Sequence, residues 1–307
     1  MKEEGEQVRI LKIYQVDSFT TEKFKGNPAG VVLNADGLTD QEMLNIAREM
    51  NNSETAFIFK PDGADHEVKI RYFTPKTEVP VCGHATIAAH YVRALEHKLS
   101  ASTVMHKIGI GILPVEIIKE SSDYSILMTQ GEIEFYPPLA MQERDKIVNA
   151  LGLKEDDLDQ RCPIQIVSTG HSKVMIGIKT RCRLNDLFPD MQALAQISKT
   201  INCNGYFVFT MDSEQKDILT HGRMFAPYIG INEDPVTGNA NGPLGAYLVK
   251  HGLVEHDKSN FSFKSEQGHA IGRSGLVNVI VHLDDGEPKQ VKIGGRAVIV
   301  FKTEIEI

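Results

Sequence analysis

"RYFTPKTEVPVCGHATIAAHYV" (71–92) returns in altered form as "RMFAPYIGINEDPVTGNANGPLGAYLV" (223–249). Both stretches read Arg-x-Phe-x-Pro, then an acid and a Pro, then Gly, then a run of small residues ending in Tyr and an aliphatic; Arg71 and Arg223 are 152 residues apart. Upstream, "SETAFIF" and "NGYFVF" align Phe57 with Phe207. "QEMLNIAREMNN" aligns with "MQALAQISKTIN", pairing Leu44 with Leu194 and Ala47 with Ile197, and both of these offsets are 150. Further up, "GNPAGVVL" faces "TGHSKVMIGI", with Gly26 against Gly170. Four matches kept in order and spacing argue for a duplicated unit, which constrains the architecture before any single element is assigned.

Composition fits two units. The chain has 307 residues, 41% hydrophobic and 24% charged, which is too long for one modest core. A formal charge of -8 with no Lys/Arg-rich run argues against a nucleic-acid partner. The start, "MKEEGEQVRI", is charged where a secretory signal is apolar, and no apolar run approaches the ~18 to 20 residues that span a bilayer. No membrane association and a cytoplasmic location are expected. Cys82, Cys162, Cys182 and Cys203 form no C-x-x-C pair, so neither a zinc site nor a disulfide framework is signalled, and each is expected to be a reduced, buried thiol.

Short β-type runs occur at "VRILKIYQVDSF", "AGVVLN", "ETAFIF" and "HEVKIRYF", the last alternating Val68, Ile70 and Tyr72 as a half-buried strand does. "LTDQEMLNIAREMN" predicts a helix opened by a Thr39–Glu42 capping box, with Met43, Leu44, Ala47 and Met50 on its apolar face. A second helix, rich in Ala, is predicted from Ala85 to His97. The second half predicts strands at "PIQIVSTG", "KVMIGIK", "GYFVFTM", "FSFKSEQG", "LVNVIVHL" and "AVIVFKTEIEI", and helices at "ERDKIVNALG", "QALAQISKTI" and "GPLGAYLVKHG". Pro243 falls in the first turn of that last helix, where proline is tolerated. The result is two similar α+β units, each a strongly bent sheet around an Ala/Gly-rich helix.

Each copy carries a Gly-led turn at a helix mouth, "CGHAT" and "TGNAN". Free amides and the positive end of the helix dipole make such a turn an anion site, so two of them can grip one small carboxylate. A proton-carrying residue stands beside each turn, His84 in the first and Asp234 in the second, and Glu54 opens a strand in "NNSETAF". Proton transfer at carbon needs a base against the C–H and an acid on the other side, which these residue types supply. Each also has a plainer reading. Glu54 also reads as a cap or surface charge, His84 as a hydrogen-bonding residue of a helix start, Asp234-Pro235 as a common turn, and Cys82 as an inert core thiol, and residue by residue the plainer reading of Glu54, Asp234 and Cys82 is the commoner one.

"SETAF", "RYFTPKTEVPVCGHAT" and "EDPVTGNANGPLGAYL" resemble the three signature segments of the PhzF-like (phenazine biosynthesis) isomerase family, and "GNPAGVVL" and "GGRAVIVF" resemble its flanking segments. The resemblance covers essentially the whole chain. It is strongest toward the uncharacterised bacterial YddE-type members, which share the wording "DPVTGNANGP". It implies the α+β, diaminopimelate-epimerase-like fold: two pseudo-symmetric domains, each a curved mixed sheet wrapped around a central helix, with the active site between them. The C-terminal strand then crosses back, so that residues 1–125 are completed by 297–307 and the second domain is 126–296. The implied chemistry is cofactor-independent isomerisation, with no cofactor and no metal, in which Glu54 moves a proton between carbons of a small carboxylic acid and His84 and Asp234 act with it. The substrate would be held by Gly83, Ala85, Thr86, Thr237, Gly238, Asn239 and Ala240. Where the family commonly has Ser after the "TG", this chain has Asn239, which keeps an anion-binding amide but loses a hydroxyl. A homodimer is expected from the family and from the prevalence of twofold assemblies.

Two other readings remain. One is a small-carboxylate binding or sensor protein that has kept the cleft and lost catalysis. The other is a thiol-dependent racemase using Cys82, which lacks a second thiol because its expected counterpart is Asp234. Further chemistries are weaker. "KIGIGILP" has only Gly109 and Gly111 of a dinucleotide fingerprint, and "TGHSKV" has Val174 where a nucleophile elbow needs glycine. His84 and His90 are six apart, off the spacing that turns two metal ligands to one helical face.

Overall fold

The computed structural model describes residues 9–307. Most of the charged start and Val8, the first residue of the first predicted strand, lie outside the described residues. Two compact units divide the chain: the first takes residues up to Phe24, Pro28–Ile126 and Arg296–Ile307, the second Lys25–Asn27 and Leu127–Gly295.

In the first half the elements are β1 (Ile10–Ser18), β2 (Asn27–Val32), α1 (Asp40–Met50), β3 (Thr55–Phe59), β4 (Val68–Phe73), β5 (Glu78–Val79), α2 (Gly83–Glu96), β6 (Ser102–Ile108), β7 (Gly111–Glu120) and β8 (Asp123–Thr129). The second half continues with β9 (Glu134–Pro138), α3 (Met141–Ala150), β10 (Gln165–Ser168), β11 (Lys173–Gly177), α4 (Arg181–Asn185), α5 (Met191–Ile201), β12 (Tyr206–Thr210), β13 (Thr220–Ala226), β14 (Ile231–Asp234), α6 (Gly238–Lys250), β15 (Asn260–Gln267), β16 (Gly275–Asp284) and β17 (Glu287–Glu306).

The pairing pattern repeats. In the first unit β2 and β3 are parallel, β3 and β4 antiparallel, β4 parallel to β6 and antiparallel to β5, and β6 and β7 antiparallel. In the second unit β11, β12, β13, β14, β15 and β16 pair in the same senses and order. The repeated Arg and acid explain part of this likeness. Arg71 grips Glu78 through two bonds of 2.7 and 2.6 Å across β4 and β5, and Arg223 grips Glu233 through two of 2.9 and 2.8 Å across β13 and β14. Paired donors of a guanidinium match a carboxylate, so each pair fixes a turn as well as adding attraction. The first part of β17 pairs with β16, and its last part pairs with β1 from Ile10 opposite Glu306 to Ser18 opposite Ala297.

Helix α1 opens on the expected capping box of Thr39 and Glu42, which satisfies two otherwise orphaned amides. Its buried side is Met43, Ile46 and Ala47, with Leu44 and Met50 half-buried, so the apolar face is turned toward Ile46 relative to the sequence expectation. Helix α2 buries eleven of its 14 residues, and α6 eleven of its 13, so neither has the wet face of a surface helix. In α6 a Cβ on Gly245 would come within 2.8 Å of Val279 and Val281, and the bare glycine therefore lets the helix lie close on β16. Helix α6 begins at Gly238, four residues ahead of the predicted start, which corrects the reading of Pro243. It is the sixth helical residue, beyond the first turn, where its missing N–H deprives the Asn239 carbonyl of that intrahelical donor.

Candidate active site

Helix α2 brings the first cluster together. Its first intrahelical bond runs from the Thr86 amide to the Cys82 carbonyl at 3.1 Å, so the amides of Gly83, His84 and Ala85 precede the helical ladder and remain available to an anion. Glu54 stands immediately before β3, and its carbonyl accepts the Gly30 amide at 3.2 Å. A Cβ on Gly30 would fall 2.7 Å from the Thr55 hydroxyl, so glycine is what lets β2 run this close to the residue that follows Glu54. The His84 ring is buried, with Nε2 3.3 Å from Glu54 Oε2 and 3.2 Å from Ser53 Oγ; Ser18 Oγ donates to the His84 carbonyl at 2.8 Å. Cys82 Sγ is 3.5 Å from His84 Nδ1 and 3.9 Å from Nε2. Glu54 Oε2 is a buried atom that has a charge contact with His84 but no well-aligned hydrogen bond. A buried acceptor in that state is costly unless a proton, a substrate or a cation reaches it.

The second cluster surrounds Asp234. Its Oδ1 accepts from Asn27 Nδ2 at 2.9 Å, its Oδ2 accepts the Thr237 hydroxyl, and its carbonyl accepts Gln267 Nε2 at 2.8 Å. Gln267 also accepts the Thr237 amide and the Asn241 side chain, both at 3.0 Å. Both carboxylate oxygens are therefore aimed by neighbours, and the side chain is 8% exposed. Gln130 donates to the Asn239 side chain at 2.9 Å and accepts from Thr169 at 2.9 Å, and Gly242 leaves the space that its amide fills. Asn27, Gln130, Asn241 and Gln267 were not picked out in the sequence; the available signal was a polar residue inside an otherwise buried segment.

Of the residues expected to bind substrate, Gly83, Ala85, Gly238 and Asn239 carry amides ahead of the first helical bonds. Thr86 is spent elsewhere: its hydroxyl donates to the Cys82 carbonyl at 2.7 Å and meets the Tyr72 hydroxyl at 2.6 Å. The Ala240 amide donates to the Thr237 carbonyl at 3.1 Å, and the Thr237 amide to Gln267. Helix starts at Gly83 and Gly238 also align the two mouths residue by residue, pairing Cys82 with Thr237 and His84 with Asn239. Thus the counterpart of the Cys82 thiol is a hydroxyl that supports Asp234, rather than Asp234 itself. Cys82, Cys162 and Cys203 are buried as expected, whereas Cys182 is exposed.

The glycines of "KIGIGILP" serve the β6–β7 hairpin. A Cβ on Gly109 would strike Pro80 at 2.7 Å, and Gly111 has φ +130, a conformation other residues rarely adopt. Gly170 of "TGHSKV", with φ +110, turns the chain from β10 to β11. Among the described residues no helix is long and apolar enough to cross a membrane.

A model of the PhzC–PhzF family, described as phenazine biosynthesis-like protein, matches residues 16–303. This chain belongs to the PhzC–PhzF family. Within it, the chain is 60% identical over 298 residues to an uncharacterized isomerase of Clostridium acetobutylicum, covering 97% of this chain and 99% of that one. It is 31% identical over 288 residues to the trans-2,3-dihydro-3-hydroxyanthranilate isomerase of Pseudomonas chlororaphis, covering 92% and 95%. A PhzF-family crystal structure from Bacillus anthracis superposes with a TM-score of 0.87 at 32% identity, covering 97% of this chain and all (100%) of that one. A hydroxyproline epimerase of Agrobacterium vitis shares the fold alone, with a TM-score of 0.63 at 11% identity over 97% and 93% of the two chains. The PhzC–PhzF chain described here is thus an isomerase-family α+β protein of epimerase-like fold.

Proposed function

We propose that this protein is a cofactor-independent isomerase in which Glu54 moves a proton between carbons of a small carboxylic acid. The carrying observation is Glu54 Oε2, buried, 3.3 Å from His84 Nε2 and without an aligned hydrogen bond, beside the amides of Gly83, His84 and Ala85. A carboxylate oxygen whose neighbouring donor is not aligned with it keeps a lone pair for a substrate C–H, and that neighbouring imidazole can take up or return the proton. The free amides at the α2 mouth suit the substrate carboxylate. We assign Asp234, aimed by Asn27 and Thr237 within the second unit, as a second proton-handling group. The substrate class draws support from the Pseudomonas chlororaphis relative, whose named substrate is a small unsaturated carboxylic acid.

Glu54→Gln keeps shape and removes the base. Incubation with a panel of small unsaturated and hydroxylated acids in D2O should show solvent deuterium entering a turned-over acid with the unaltered protein. The variant should be slower by about 10²–10⁴-fold, with binding retained. Undiminished exchange would remove Glu54 from the mechanism. A thiol mechanism predicts instead that Cys82→Ser stops the exchange; its counterpart being Thr237, retention of exchange in that variant is expected.

A further inference from the structure

We infer that Glu54, Cys82 and His84 form a binding site for a thiophilic divalent cation, Zn²⁺ in the first place, which holds the protein in an inhibited state. A carboxylate oxygen, a thiol sulfur and an imidazole nitrogen lie within 4.8 Å of one another, and no other group of three such donors that could hold an ion occurs among the described residues. Zinc bonds of ~2.3 Å to sulfur and ~2.0–2.2 Å to nitrogen or oxygen, set tetrahedrally, place ligand atoms about 3.3–3.6 Å apart. Glu54 Oε2 to His84 Nε2 is 3.3 Å, one edge of such a tetrahedron already in place; Cys82 Sγ lies nearer Nδ1, at 3.5 Å, than Nε2, at 3.9 Å, so the thiol side chain must turn toward Nε2 as the ion enters.

Three further features favour a cation. Glu54 Oε2 is buried without an aligned hydrogen bond, and a metal ion satisfies such an oxygen where a weak donor does not. Glu54 with the deprotonated thiol neutralises a divalent charge, the thiol proton passing to solvent as the metal binds. The mixed sulfur, nitrogen and oxygen set selects Zn²⁺ over Mg²⁺ or Ca²⁺, which take oxygen alone. Cys82 and His84 are buried and held by packing, while the Glu54 side chain is 16% exposed and marks the way in. The sequence pattern hid this site because its donors do not share a helical face: one precedes β3, one caps α2 and one sits in its first turn.

Binding stands by itself; the inhibition rests on the assignment of Glu54 as the base, whose lone pair the metal would occupy. The full chain, stripped with a chelator and kept reduced, is titrated with CoCl₂ and then ZnCl₂. One equivalent of Co²⁺ should produce thiolate-to-metal charge-transfer absorption and the visible bands of four-coordinate cobalt, both erased by one equivalent of Zn²⁺. Cys82→Ser should abolish the charge-transfer band and His84→Gln, which removes a ligand outright, should weaken Zn²⁺ binding by at least the roughly 10–100-fold that losing a ligand's outer partner costs, with circular dichroism showing both variants folded. Cys182→Ser, which removes the exposed thiol, should change nothing. Absence of the charge-transfer band, its survival in Cys82→Ser or its loss in Cys182→Ser overturns the site. Zn²⁺ bound through Cys82 with deuterium exchange undiminished keeps the site and overturns the inhibition.

Discussion

Asp234 shows how much of a candidate catalytic group is made by its neighbours. Its carboxylate accepts from Asn27 and Thr237 while Gln267 ties down its backbone. Bonds to an ionised acceptor are worth roughly 1.5–3 kcal/mol, and a buried carboxylate deprived of one also keeps the desolvation cost. Thr237→Val should therefore lower stability by about 1.5–3 kcal/mol in urea unfolding, and Thr237→Ser, which restores the hydroxyl, should recover most of it. Equal losses in the two variants would mean that the methyl group, rather than the bond to Asp234, is what matters. By contrast, the hydroxyl of Thr86 is committed to Cys82 and Tyr72, so its role is to hold the start of α2.

At the scale of elements, α2 and β6 bury a pair of imidazoles. His90 Nε2 on α2 is 3.3 Å from His106 Nδ1 on β6, and His90 Nδ1 and His106 Nε2 are buried with no hydrogen-bond partner. Burial holds His106 down at about 4 against an ordinary 6.5, and burial, His106 and Arg93 together hold His90 well below its usual range. The unfolded chain takes up protons below about 6.5 while the folded pair stays neutral, so stability is lost as pH falls from about 6.5 toward 4. For His106 alone that gap corresponds to roughly 3 kcal/mol. Chemical denaturation between pH 7 and 5 should show a steeper loss for the unaltered protein than for the double substitution His90→Leu/His106→Leu; parallel curves would place the acid sensitivity elsewhere.

For the whole molecule, the first unit depends on residues from the far end of the chain. Ala297–Glu306 pair with β1 along its length, and the Arg9 and Ile307 backbones exchange two further bonds of 2.9 and 3.0 Å. Ending the chain after Gly295 leaves β1, with its buried Leu11, Ile13, Tyr14 and Val16, without that partner. An unpaired apolar strand edge invites association with other chains. The truncated protein should aggregate or melt well below the full chain in a thermal scan with light scattering, and a soluble product with an unshifted transition would show that β1 is held by other contacts.

Local signals were sufficient wherever the physics is local. The alternation of Val68, Ile70 and Tyr72 is buried as read, the Thr39–Glu42 capping box forms, and the duplicated Arg-x-Phe segments occupy corresponding strands, because side-chain period and helix capping depend on residues a few positions apart. The start of α6 escaped because Gly and Asn in "GNAN" are poor helix formers, and burial against β16 overrode that preference. Side-chain partnerships were beyond local pattern: Asn27 and Asp234 are 207 residues apart, and Ser18 and His84 are 66 apart. The sequence by itself determined the repeat, the helix mouths and the residue types able to carry protons. Only the tertiary structure decided which of them meet, since contacts between distant residues exist only once the sheets have paired and set their register, and that closure is what placed a thiol, an imidazole and a carboxylate within reach of one another.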